Sequence, residues 1–313
     1  MGSMQLVLPA GVPLLHPETQ VFEGMIQGWR NQMLARNLAE STIVAAVRVV
    51  RAFKAHHDVW PWLWTPAMSD EWFADLRSVH HIATSTVRSY QVALRGFCRY
   101  VTDPAYGWAE DCERRFGTHP IQLINEVNAA AHVADVESEP RKRAFTRPEL
   151  QALFDWADDQ VEQRRMAGRK GWLPAFRDAT MLKTAYAFGL RRTETRMLDV
   201  VDFGPNPAAS EFGNYGALYV RYGKAQRGSP PKRRSVLTVW PWVVPVLEQW
   251  FGEVRPLLAG DGPAAWPSER AVRITSPSVD ALLRQARTAI SLDPVLDFHS
   301  LRRSYVTHLI EDG

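Results

Sequence analysis

The sequence predicts a mainly α-helical protein with one small antiparallel β-sheet, folded as two domains. Three observations lead there. Apolar residues recur at helical spacing through most of the chain, and β-type runs are short and confined to the stretch between Met197 and Val239. Between Ala129 and Arg147 the periodicity dissolves into small residues, acids, Pro140 and a basic cluster, which is the signature of a linker. A length of 313 residues is more than one ordinary core needs. The expected division is therefore an N-terminal tail (1–15, opening with MGSM like a tag remnant), a helical domain (16–130), a linker (131–145) and a second domain (146–313).

The elements follow in order. Val21, Met25, Trp29 and Met33 mark a first helix, and Ile43, Val47 and Val50 a second after the Ser41/Thr42 start signal. The tryptophan-rich stretch VWPWLWTP (59–66) could stack on bases, but its prolines and bulk read better as a packed connection between helices. From Ser85 to Val101, Val87, Tyr90, Leu94, Phe97 and Val101 form an apolar stripe, while Arg88, Arg95 and Arg99 fall on another face. Arg48, Arg51 and Lys54 repeat that basic outer side on the preceding helix. A solvated helix face would explain either stripe alone; the repetition points to a surface facing phosphates. Arg141, Lys142 and Arg143 in the linker could track a nucleic-acid backbone or simply be solvated.

The second half opens with TRPEL (146–150). Thr146 as N-cap, Pro148 in the first turn and Glu149 three residues on form a capping-box arrangement. A helix through LQALFDWADDQ follows, and another from about Pro174 to Phe188 stops at Gly189. Strands are expected at Met197–Phe203, Ala217–Tyr222 and Ser235–Val239, the last two joined by a loop rich in Gly, Pro and basic residues. Helices are then expected at about Pro241–Phe251, Ser278–Ile290 and His299–Glu311.

Composition excludes several classes. A hydrophobic fraction of 46% with 23% charged residues is that of a folded protein, not a disordered one. No apolar run could cross a bilayer and no signal-peptide order opens the chain, so a cytoplasmic protein without membrane partners is expected. The two cysteines, Cys98 and Cys112, have no metal-ligand spacing. The net charge of +3 says little about partners, whereas the local placement of the charge says more.

Three places resist a purely structural reading. GLRRTE (189–194) sets Arg191, Arg192 and Glu194 behind a helix-ending glycine. The expected hairpin carries Arg221, Lys224, Arg227, Lys232, Arg233 and Arg234 without an acid. HSLRR places His299 and Arg302 one helical turn apart on one face, with Tyr305 well round the cylinder beside Leu301 and Leu309. Each has an ordinary explanation: a helix-end ion pair, a solvated loop, a satisfied histidine. Together they supply guanidiniums, a lysine and an imidazole, with no paired carboxylates and no Gly-rich phosphate cradle. That set suits phosphodiester chemistry without a metal or other cofactor, because guanidiniums can grip the non-bridging oxygens while Lys and His move protons.

These residues resemble the tyrosine recombinases, or phage-type integrases, over most of the chain. The family's Gly-Leu-Arg-x-x-Glu box is matched by GLRRTE, its hairpin lysine by the Lys224 of YGKAQRG, and its His-x-Leu-Arg box by HSLRRSYVTHL. The resemblance implies Arg191, Lys224, His299 and Arg302 as catalytic residues, Glu194 as the acidic companion of Arg191, and Tyr305 as a packing aromatic. It implies that double-stranded DNA is cut and rejoined through a phosphotyrosine by a tetramer on two sites. It leaves Arg48, Arg51, Arg88, Arg95, Arg99, Arg141, Lys142, Arg143, Arg192, Arg227, Lys232, Arg233 and Arg234 as expected DNA contacts. In the family, the chain runs on to a Gly-His or Gly-Trp step and the tyrosine nucleophile, whereas this sequence stops at Gly313. The expectation is a chain without the nucleophile, which binds DNA but does not cleave it covalently. The alternatives are a non-catalytic DNA-binding or architectural protein that keeps the fold, and a metal-dependent transposase or nuclease, which would need clustered carboxylates where the acids here are scattered.

Overall fold

The computed structural model describes residues 16–131, 142–168, 171–223, 229–259 and 262–312. The described residues up to 131 form one compact unit, and almost all of those from 142 onward form a second.

The first unit is helical: α1 (Pro17–Ala35), α2 (Glu40–His57), α3 (Pro66–Ser78), α4 (Thr84–Thr102) and α5 (Trp108–Phe116). Helical spacing decides what it buries. Val21, Met25, Trp29 and Met33 of α1, Ile43, Val47 and Val50 of α2, and Val87, Leu94, Phe97 and Val101 of α4 all enter one core. The tryptophan stretch is packing: Trp62 and Trp64 are buried, Pro61–Leu63 is a 3₁₀ turn, and the Trp62 ring stacks on Phe116 at 4.2 Å. Burying each such ring contributes about 2–3 kcal/mol. α4 carries its apolar stripe inward, which leaves its arginines on the outer side.

The second unit begins at α6 (Arg147–Met166), where Thr146 Oγ1 accepts from the Glu149 N–H at 3.3 Å and Glu149 Oε2 accepts from the Thr146 N–H at 2.9 Å, so the capping box is formed. Then come α7 (Trp172–Ala187), α8 (Arg192–Arg196), β1 (Phe203–Gly204), β2 (Ala217–Val220), β3 (Arg234–Leu237), α9 (Val243–Gln249), α10 (Arg255–Ala259), α11 (Ser276–Ala289) and α12 (Phe298–Glu311). The sheet is antiparallel in the order β1-β2-β3, with Phe203 opposite Leu218 and Val220 opposite Arg234. Trp250 and Trp266, both fully buried, lie at 6.0 Å in a core shared by α6, α7, α9, α11 and α12.

Two expectations need correction. The strand expected over Met197–Phe203 is only two residues long, because Asp202 Oδ2 accepts from the Asp199 N–H at 2.8 Å and winds Val200–Asp202 into a 3₁₀ turn. On α12 the buried line is Leu301, Ser304 and His308, while Leu309 is exposed. Polar burial is possible there because Ser304 Oγ donates to the Ser300 carbonyl at 2.8 Å and accepts from the Phe145 N–H at 2.8 Å. No helix among the described residues is long and apolar enough to cross a membrane.

Candidate active site

The site is built on the end of α7. Gly189 has φ +56°, its N–H reaches the Tyr186 carbonyl at 3.0 Å, and the Leu190 N–H reaches back to the Ala185 carbonyl at 2.9 Å. This left-handed close ends the helix and turns the chain so that Arg191 caps α8. A side chain at 189 is excluded twice over: by φ, and because a Cβ would stand 2.4 Å from Cδ1 of Tyr305. The buried Thr238, just past β3, donates to the Ala187 carbonyl at 3.1 Å and so ties the sheet to the same helix end.

Glu194 is the hub. Its side chain is 1% exposed, and it accepts from the Arg191 N–H at 2.9 Å, from Arg191 Nη1 at 2.8 Å, and from Arg234 Nη1 and Nη2 at 2.9 Å each. Burial pushes its carboxyl upward, but the bonds from Arg234 and from the backbone and side chain of Arg191 override that and hold it down to about 2. Glu194 is thus a permanent anion, half neutralising two guanidiniums. Arg191 keeps 38% of its side chain exposed, so its outer edge stays open to a ligand.

α12 brings the third box to the same place. Asp297 caps it, accepting from the Ser300 N–H at 3.0 Å. One turn in, Arg302 Nη1 donates to the Gly189 carbonyl. Burial and then the charge of Arg191 lower the pKa of Arg302, with Arg234 adding to the effect and Glu194 opposing it. His299 is exposed, yet the covered part of its ring lowers its pKa from 6.5; Arg303, Arg302 and Arg191 lower it further, against the pull of Asp297. The charges of Arg191, Arg302 and His299 therefore act on one another. Tyr305 is less remote than expected: it packs against the second core and Gly189, and its phenol pKa is raised by burial while the charge of Arg302 pulls it down.

The hairpin converges on the same cluster. Its stem is closed by the Gly223 N–H on the Lys232 carbonyl at 3.0 Å, next to the Val220–Arg234 pair. Lys224, Arg227 and Arg141 lie outside the described residues. Lys232 and Arg233 are exposed. Arg234, read from sequence as a DNA contact, is instead committed to Glu194 through both terminal nitrogens. Sequence reasoning missed this partnership because the two residues are 40 positions apart.

The other expected contacts divide by partner. Arg51 forms a two-bond pair with Glu23, Arg143 with Glu149 and also with Asp293, Arg192 pairs with Asp280, and Lys142 pairs with Asp297. Arg48, Arg88, Arg95 and Arg99 form no ion pair among the described residues. A cationic helix face with no internal counter-charge is what a polyanion needs.

No family model matches the chain. The tyrosine recombinase XerC of Alcanivorax borkumensis is 29% identical over 160 residues, which is 50% of this chain and 46% of that protein. XerC of Chromohalobacter salexigens is 31% identical over 140 residues, 44% of this chain and 41% of that protein. The chain thus spans less than half the length of these curated relatives. Among solved structures, a lambda integrase dimer bound to a COC′ core site matches 94% of this chain and 73% of that chain with a TM-score of 0.59 at 14% identity. The XerH recombinase bound to its difH substrate matches 96% and 87% with a TM-score of 0.56 at 12% identity, and both show a shared fold. Over about half of its length the chain is thus similar in sequence to XerC-type tyrosine recombinases, and it shares the fold of lambda integrase and XerH.

Proposed function

We propose that the protein is a site-specific DNA recombinase that breaks and rejoins strands conservatively through a phosphotyrosine intermediate, acting on duplex DNA as a homo-oligomer. The observation that carries this reading is that Arg191, paired with the buried Glu194, lies close enough to Arg302 and His299 for its charge to act on both. The open edge of Arg191 and the guanidinium of Arg302 clamp the non-bridging oxygens of one phosphodiester and stabilise the charge that grows on them in the transition state. His299, with its lowered pKa, is mostly neutral at pH 7 and can accept the proton of an attacking phenol. The phenolate oxygen bonds to phosphorus, the bond to the 5′-oxygen breaks, and that oxygen takes a proton, a role the family resemblance gives to Lys224. The phosphotyrosine keeps the energy of the broken bond, so a 5′-hydroxyl from a partner strand can reverse the step without ATP.

Tyr305 is not the attacking group. Its ring is wedged against Gly189, and burial raises its pKa, so forming the phenolate there is disfavoured. Tyr305 is therefore expected to form no covalent adduct with duplex DNA.

The test is a gel shift with duplex DNA across a salt series, paired with a nicked suicide substrate that traps covalent adducts. Affinity should fall steeply with salt. Arg191→Ala should abolish cleavage in a strand-cleaving form of the protein while weakening binding only by about tenfold. A covalent adduct that disappears in Tyr305→Phe would overturn the exclusion of Tyr305, and binding indifferent to salt would overturn the phosphate-facing surface.

A further inference from the structure

Arg234 is not one of the residues that the sequence boxes mark for chemistry, yet it is the only side chain that bonds both oxygens of Glu194 among the described residues. Both of its terminal nitrogens are used, one on each carboxylate oxygen, while the Arg191 guanidinium uses a single nitrogen on Oε1. Arg234 is also the first residue of β3, opposite Val220, at the base of the hairpin whose stem closes at Gly223 and Lys232. The charged groups that face Glu194 come from three elements: Arg191 beside α8, Arg234 on β3 and Arg302 on α12.

Resting on the recombinase reading, we propose that Arg234 is a positioning residue: by holding both oxygens of Glu194 in one plane, it fixes the orientation of the Arg191 guanidinium and locks the hairpin base to the phosphate clamp. With Arg191 alone, the Arg191 guanidinium would be held by a single bond to Oε1, about which it could pivot, while the other oxygen took only the Arg191 backbone N–H. A planar two-bond fork removes that freedom. The remaining Arg191 nitrogens then keep one direction, outward, where 38% of the side chain is open. Both terminal nitrogens of Arg234 are turned onto Glu194, so the effect of Arg234 on DNA is assigned to its hold on Glu194 and, through it, on Arg191. Burial alone would push the Glu194 carboxyl up, and Arg234 is the leading cause that pulls it down.

A double-mutant cycle on the whole 313-residue chain, read by anisotropy of a fluorescein-labelled duplex at fixed salt, tests this. Arg191→Ala should weaken binding by about tenfold, as expected for one charge-assisted phosphate contact. Arg234→Met should also weaken it, and the double variant should bind no worse than Arg191→Ala. Multiplying penalties, or an Arg234→Met variant that binds like wild type, would overturn the proposal. Independently of DNA, carbon-13 NMR of the Glu194 carboxyl should show its titration rising from about 2 towards or above 4.5 in Arg234→Met, with partial return in Arg234→Lys. A carboxyl whose titration does not move would refute the positioning role. If the wild-type chain binds no duplex, the recombinase reading fails, and the NMR titration still decides what Arg234 does to Glu194. Far-ultraviolet circular dichroism on each variant confirms that the readout comes from folded protein.

Discussion

Arg234 on β3 and Glu194 on α8 are joined by two parallel bonds of 2.9 Å, across 40 residues of sequence, inside a pocket where the carboxylate is almost wholly hidden from water. The strand and the first arginine box are thereby one mechanical unit, and several measurable consequences follow from the way this unit is built.

The charge of Glu194 makes stability depend on acid. Its carboxyl sits at about 2 in the folded protein against an ordinary 4.5, so the unfolded chain binds the proton more tightly. The stabilisation is complete above about 4.5 and is lost as pH falls through the folded value; the difference is worth roughly 3 kcal/mol. Urea unfolding at pH 7 and pH 3 should show wild type losing more stability than Glu194→Gln, and equal losses would contradict the assignment.

Gly189→Ala should destabilise the second unit by roughly 2–4 kcal/mol. The methyl group would be strained at φ +56° and would meet the Tyr305 ring at 2.4 Å. Adding Tyr305→Ala should recover the part that comes from the clash and leave the part that comes from φ. A thermal melt of the three variants separates the two contributions.

His308 is 2% exposed and bridges the Tyr186 hydroxyl at 2.9 Å and the Phe145 carbonyl at 3.0 Å. A carbonyl can only accept, so Nε2 carries the hydrogen on that side, and the ring holds the tyrosine hydroxyl on the other through Nδ1. His308→Leu strands both partners and should cost about 2–4 kcal/mol in denaturant unfolding, with little effect on DNA affinity beyond that of partial unfolding.

On α4, Arg88, Arg95 and Arg99 have no ion-pair partner among the described residues, whereas Arg51 on α2 is held by Glu23. Replacing the three α4 arginines by alanine should reduce the slope of log affinity against log salt by about 2–3. Arg51→Ala should change that slope less, because the pair with Glu23 already offsets its charge. Equal slopes for the triple variant and wild type would remove α4 from the interface.

Much of this was readable along the chain. Helices are local objects, so the apolar periodicity of α1, α2 and α4 and the Thr146–Glu149 cap announce themselves within a few residues. The GLRRTE and HSLRR boxes were legible for the same reason: a glycine that ends a helix and an arginine one turn from a histidine are short-range patterns. The Met197–Phe203 stretch misled because its apolar composition suits a strand, while the bond between Asp199 and Asp202 that winds it depends on side-chain placement.

What the sequence by itself determined is the set of functional groups and the elements that carry them. What only the tertiary structure decided is which groups meet: that Arg302 reaches the Gly189 carbonyl from 113 residues away, that Tyr305 wedges against that same glycine, and that Arg234 holds Glu194 from 40 residues away. The physical reason is burial. A carboxylate hidden from water must find cations wherever the fold supplies them, and that search runs through space without regard to sequence distance.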